Sequence, residues 1–180
     1  MLPSRWFFTD DRLGDDALAL IAGLPRDVGV IVRVREGGRA RVAALVRAAR
    51  RHRHVVLVAG PILAALRTGA DGAHLPEQLA RCAGKRRPHR RFRLTVAAHS
   101  RPALVRARRL GADAAFLSPV FATRSHPGGK VLGPLGFARL ARAAGLPVLA
   151  LGGMTSHQAG HLRRAHGWGA IDAWHGRPAH

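Results

Sequence analysis

The sequence predicts an α/β chain folded as a compact (β/α)8 TIM barrel, one domain over residues 1–180. Eight short apolar, β-prone runs recur along the chain, at 6–9, 30–34, 55–58, 72–75, 93–98, 114–118, 147–151 and 170–174. Their starts lie roughly 17 to 33 residues apart, which leaves room for a helical crossover in most gaps. Strands alternating with helices pair in parallel through right-handed crossovers, and eight such units close a barrel. The rival is a doubly wound open sheet, which has fewer strands and a glycine-rich fingerprint after the first. Here the first run is followed by Asp10-Asp11-Arg12.

The elements follow in order. Residues 15–21 read as a short helix after the first strand. Residues 39–51 place Val42, Leu45 and Val46 on one face and arginines elsewhere, an amphipathic pattern. This fold typically takes ~250 residues, so roughly 22 residues per unit here means short helices. The gap between Val58 and Gly72 has room for only one or two turns. Ser100-Arg-Pro supplies a hydroxyl N-cap and a proline in the first turn, and Gly111 ends that helix. Residues 135–144 form a helix stopped by Gly145, and residues 156–166 form the last one.

Composition narrows the function classes. The chain is 47% hydrophobic, enough to fill a core, which excludes a mostly disordered protein. No apolar run approaches the ~20 residues of a membrane span. The single cysteine, Cys82, excludes an internal disulfide and a multi-cysteine zinc site. The first residues turn acidic where a signal peptide is apolar, so a soluble cytoplasmic protein is expected. The net charge is +20, and of 30 basic residues only Lys85 and Lys130 are lysines. Such a field attracts phosphorylated metabolites, nucleic acid or acidic membranes; a coding bias that raises arginine and alanine together is the plainer account. The basic tracts at 85–91 and 50–54 read as solvated loops. They lack interleaved aromatics, so specific nucleic-acid binding by stacking is not expected.

In such barrels the chemistry sits at the C-terminal ends of the strands. Arg35 and Glu36 follow the second strand, either as a rim ion pair or as an anion contact with its orienting carboxylate. His74 ends the fourth strand and reads as structural. His99 ends the fifth; near neutral pH it is either a general acid or base or a structural histidine. The segment 118–130 is polar and glycine-rich, either a lid carrying Ser118, Thr123 and Ser125 or an ordinary exposed loop. Gly152-Gly153 after the seventh strand either exposes backbone N–H groups to a phosphate or makes a plain turn. Thr155 or Ser156 caps the helix that follows.

Three stretches together resemble the thiamin phosphate synthase/TenI superfamily. They are Gly69-Ala-Asp-Gly-Ala-His-Leu, Gly111-Ala-Asp-Ala-Ala-Phe-Leu-Ser-Pro-Val-Phe-Ala-Thr, and Leu146-Pro-Val-Leu-Ala-Leu-Gly-Gly-Met-Thr. The resemblance runs from Phe8-Thr9-Asp10 to the last strand. It implies a (β/α)8 barrel, usually dimeric. Family synthases join a pyrimidine diphosphate to a thiazole phosphate with Mg2+, whereas TenI-type relatives aromatise a carboxythiazole phosphate by metal-free proton transfer.

Carried over by position, the family's motif after strand two leaves Arg35 and Glu36 matched, and its glutamine and lysine missing. The Mg2+-holding aspartates fall on Ala59-Gly60 and in the Gln78-Leu79 region, and are absent. The lid's hydroxyls persist at Thr123 and Ser125 while its lysine is replaced by His126. Gly152 and Gly153 persist. A diphosphate leaving group needs its charge neutralised, normally by metal and lysine. The resemblance therefore implies a TenI-like thiazole tautomerase needing no cofactor. His99 is then the acid/base, Arg35, Glu36, Ser118, Thr123 and Ser125 contact substrate, and Gly152 and Gly153 hold phosphate. A divergent synthase using Arg33, Arg124 and Lys130, with Mg2+, and an inactive phosphate- or nucleic-acid-binding barrel are the alternatives. The expected partners are a phosphorylated thiazole, a pyrimidine diphosphate in the synthase reading, and a second copy of the chain; no membrane partner is expected.

Overall fold

A computed structural model describes residues 1–36, 38–84, 87–124, 128 and 130–174. Eight parallel strands close into a barrel in sequence order: β1 (Arg5–Phe8), β2 (Val28–Val32), β3 (Val56–Ala59), β4 (Gly72–Leu75), β5 (Arg93–Ala98), β6 (Ala114–Leu117), β7 (Val148–Ala150) and β8 (Trp168–Ala170). Closure comes from β1 lying between β2 and β8, with Phe7 opposite both Val30 and Ala170. This is the expected (β/α)8 barrel, and it excludes the open sheet.

Among the described residues seven helices fill the gaps: α1 (Asp16–Gly23), α2 (Gly38–Arg51), α3 (Ile62–Thr68), α4 (Glu77–Cys82), α5 (Arg101–Arg109), α6 (Gly133–Arg142) and α7 (Ser156–Gly160). The small size is absorbed here, since α3, α4 and α7 span only five to seven residues. Ser100 caps α5 by accepting the Ala103 N–H at 3.4 Å, with proline in its first turn. Several boundaries differ from expectation. The second strand ends at Val32, so Arg33 already lies beyond it. The last strand starts at Trp168, and Asp172–Trp174 is a 3-10 turn. The last helix stops at Gly160 rather than 166, leaving α7 little more than one turn.

Side chains alternate across each strand, as its period of two requires. Outward residues such as Phe7, Val30, Val56, Leu94 and Val148 meet the helices in one large core. Inward residues Trp6, Phe8, Ile31, Leu57, Phe116 and Leu149 fill the barrel. Phe116 meets Trp6 and Phe8 edge to face, with ring centroids 5.9 and 5.1 Å apart, a favoured aromatic geometry. These rings fit a narrow barrel because neighbouring inward positions are empty. A Cβ at Gly29 would lie 2.5 Å from the Trp6 ring, and one at Gly169 would lie 2.7 Å from Phe8.

The basic tracts are not uniformly solvated. His54 is buried, with Nδ1 3.0 Å from the Val28 carbonyl and Nε2 3.1 Å from that of Ile21. Burial pushes its pKa down, against hydrogen bonds to those carbonyls. Arg87 pairs with Asp113 at 3.0 Å, and Lys85 and Arg86 lie outside the described residues. Among the described residues no helix is long and apolar enough to cross a membrane.

Candidate active site

The C-terminal strand ends carry two polar clusters. The first joins β1, β2 and β8. Thr9 is buried; its hydroxyl donates to the Arg33 carbonyl at 3.0 Å and accepts the Arg33 N–H at 2.8 Å. This double clamp turns the chain out of β2. Asp10 then sits between two guanidinium groups, accepting Arg12 Nε at 2.7 Å and pairing with Arg33 through its other oxygen. Burial alone would raise the Asp10 pKa. Hydrogen bonds from the Arg12 side chain and backbone, with the charges of Arg33 and Arg12, outweigh it and hold the carboxyl below its ordinary value. Arg12 reaches Asp172, beyond β8, at 3.9 Å.

The second cluster joins β4, β5 and β6 around His99. The His99 ring is exposed, and its Nδ1 lies 2.9 Å from the backbone carbonyl of Ser118. A carbonyl only accepts, so Nδ1 carries a proton, and in the neutral ring Nε2 keeps its lone pair. The Ser118 hydroxyl approaches the same Nδ1 at 3.3 Å. From the other side, the Glu77 carboxylate accepts the backbone N–H of His99 at 3.1 Å. His99 is therefore gripped at main chain and ring by two neighbouring strand ends. Chemically, Nε2 of the neutral ring can take a proton, and the Ser118 carbonyl stabilises the imidazolium that results.

Below the mouth, His74 is enclosed inside the barrel. It faces Phe8 and Phe116 edge on, at 5.5 and 5.4 Å, and contacts Thr95 Oγ1 through Nδ1 at 3.0 Å. Burial, helped by the Arg33 charge, pulls its pKa down to about 3, so it is neutral near pH 7.

Gly152 and Gly153 adopt φ of +92° and +61°. Their missing side chains make room for the start of the loop after β6: a Cβ on Gly152 would lie 2.8 Å from Pro119 Cα, and one on Gly153 2.3 Å from the Ala122 carbonyl oxygen. The loop is tied there by Val120 N–H to the Leu151 carbonyl at 2.9 Å and Phe121 N–H to the Gly152 carbonyl at 3.0 Å. Close packing therefore requires both glycines independently of any ligand. Thr155, not Ser156, caps α7.

The other expected site residues are spread along the rim. Arg35 and Glu36 are exposed and do not pair with each other; the Arg35 N–H instead donates to Asp11 at 2.8 Å. Thr123 is half-buried. Ser125 and His126 lie outside the described residues. Asp10 and Glu77 had no role in the sequence reading. Neither carries a local motif: Glu77 meets His99 from 22 residues away, across the β4–β5 neighbour contact. A strand-end carboxylate beside a strand-end basic group was the only available signal.

The positions that the resemblance gives to Mg2+ ligands carry Ala59, Gly60, Gln78 and Leu79, none with a carboxylate. Among the described residues no three His, Cys, Asp or Glu groups cluster closely enough to hold a metal ion. This donor set does not fit a hard divalent cation, which takes oxygen ligands.

A closed parallel barrel with its polar groups gathered at the C-terminal strand ends has the layout of TIM-barrel enzymes. The chain belongs to the thiamine monophosphate synthase (TMP-TENI) family, whose model matches residues 29–172. It is 38% identical over 91 residues to "Putative thiamine-phosphate synthase 2" of Aquifex aeolicus (strain VF5). That stretch is 51% of this chain and 49% of the relative, so the match spans about half the length of the curated protein. Thiamine phosphate pyrophosphorylase from Pyrococcus furiosus superposes with a TM-score of 0.73 at 20% identity, over 95% of this chain and 86% of that one. FabK from Thermotoga maritima gives 0.70 at 14%, over 97% and 59%. Thiamine phosphate pyrophosphorylase from Bacteroides thetaiotaomicron gives 0.57 at 15%, over 94% and 82%. At these identities the structural likeness is one of fold.

Proposed function

We propose that this chain is a TenI-like enzyme of thiamin biosynthesis that isomerises a thiazole phosphate by proton transfer at the barrel mouth. The observation that carries this reading is the His99 ring, its Nδ1 held by the Ser118 carbonyl at 2.9 Å, where the metal-site positions offer no carboxylate. His99 Nε2 takes a proton from one ring position, and the imidazolium returns one at another, so atoms and charge balance over the cycle. The backbone N–H groups of Gly152 and Gly153 take the phosphate. Arg35 faces the substrate carboxylate, and Thr123 and Ser125 orient the ring. Glu36 contacts the substrate beside Arg35, and no cofactor takes part.

The names of the relatives favour a second reading, a synthase coupling pyrimidine diphosphate with thiazole phosphate. Arg33, Arg124 and Lys130 would then carry the charge that metal and lysine carry elsewhere. One experiment separates the two. The protein is incubated with carboxythiazole phosphate, followed by NMR, and in parallel with pyrimidine diphosphate and Mg2+, followed by fluorescence of oxidised thiamin phosphate. Tautomer conversion that is lost in His99→Gln supports the first reading. Thiamin phosphate above the enzyme-free control supports the second. Neither product from folded protein leaves an inactive binding barrel.

A further inference from the structure

The opposite end of the barrel holds a cleft of about 470 Å3, within the size range of small-molecule sites. Its wall is largely apolar, with Leu2, Ala114, Pro147 and Leu149 contributing. Ala114 and Leu149 belong to the barrel's inner core, so the cleft opens onto the barrel floor. Two charged side chains line the cleft, Arg93 and Asp113, and Arg93 lies on that floor. Thr95 points inward to His74, and Arg93, two residues earlier on β5, shares its face.

Arg93 is half-buried. Among the described residues its guanidinium makes no ion pair and no hydrogen bond. The carboxylate that shares the cleft, Asp113, is already committed: it takes Arg87 Nη1 at 3.0 Å and the Leu94 N–H at 2.7 Å. A second donor lines the same cleft. His166 Nδ1 accepts the Val148 N–H at 3.3 Å, which places the proton of the neutral ring on Nε2.

We propose that this basal cleft binds a small oxyanion carrying a short apolar chain, a medium-length carboxylate being its simplest form. The anion meets the planar fork of Arg93, which suits a carboxylate bidentately, and His166 Nε2–H adds a second contact. The chain lies against Leu149, Pro147 and Leu2. This site lies at the far end of the barrel from His99, so it stands or falls independently of the mouth chemistry.

The test uses hexanoate as the probe, with acetate lacking the tail and hexanamide lacking the charge. Calorimetric titration of the wild-type chain should show saturable 1:1 hexanoate binding, at least tenfold tighter than either control. Arg93→Gln should weaken it at least tenfold, and His166→Gln by a smaller factor. Amide and methyl shift changes should centre on Ala114 and Leu149. Absence of saturable binding, equal binding by Arg93→Gln, or shifts centred on Gly152 and His99 would each overturn the proposal. If Arg93→Gln does not fold, Arg93→Lys, which keeps the charge but not the fork, should retain only part of the affinity, and the shift map still locates the site.

Discussion

Lowering the pH from 7 to 5 should destabilise this barrel through a histidine placed among aromatic rings. His74 is buried, and its pKa falls from 6.5 to about 3. Between those values the unfolded chain binds a proton that the folded chain refuses, so stability is full above 6.5 and is lost as pH falls toward 3. Each unit of difference is worth about 1.4 kcal/mol, which sets a ceiling of about 5 kcal/mol for the whole span. From pH 7 to 5 the unfolded side chain goes from mostly neutral to almost fully charged, which removes about 2 kcal/mol. That is a large part of the stability of an ordinary domain. His54, shifted the same way, acts in the same window, so the wild-type loss exceeds the His74 share. Asp10 and Asp27 have lowered values; their contributions are intact above the ordinary carboxylate pKa and disappear only below it. The assay is urea unfolding with linear extrapolation at pH 7 and pH 5, on wild type and His74→Gln. The variant keeps a polar partner for Thr95 and should lose about 2 kcal/mol less than wild type between the two pH values. Equal losses in the two proteins would refute the reasoning.

Two further outcomes follow from the mouth. Gly153→Ala introduces a Cβ 2.3 Å from the Ala122 carbonyl at a φ of +61° and should cost about 2 kcal/mol. The same cost corresponds to a melting temperature roughly 4–8 °C lower in a scanning measurement, for a chain of this size. Ser118→Ala removes the hydroxyl 3.3 Å from His99 Nδ1 but leaves the carbonyl at 2.9 Å. The ring should therefore keep its Nδ1–H tautomer, read by its nitrogen chemical shifts, and retain most of any tautomerase turnover; loss of that tautomer would show that the hydroxyl holds the ring.

Strand number and order were legible because each short apolar run was bounded by glycine, proline or charge, as at Arg93–Ala98 and Gly72–Leu75. Where the bounds blurred, the reading slipped. Val28 and Gly29 belong to β2, although a glycine there looks like a turn; the Trp6 ring occupies the space a side chain would need. Ala170 ends β8 instead of starting it. The final run continues past Ala170 into a turn that buries Trp174. His54 looked solvated within an arginine-rich tract, and only the backbone carbonyls of Ile21 and Val28 reveal it as buried.

The sequence by itself determined the barrel, its family and the strand-end positions of His99, Ser118 and the paired glycines. Periodicity, punctuation and motif order are local properties, and they survive in one dimension. Tertiary structure decided what those residues touch. It brought His99 to the Ser118 carbonyl and to Glu77, set Asp10 between Arg12 and Arg33, and enclosed His74 among Phe8, Phe116 and Thr95. It also showed that Gly152 and Gly153 are demanded by the loop packed on them. Apart from Asp10 with Arg12, these contacts join different strand units, either neighbours in the sheet or, for His74 with Phe8 and Phe116, across the barrel interior, so distance, burial and proton affinity exist only once the barrel has closed.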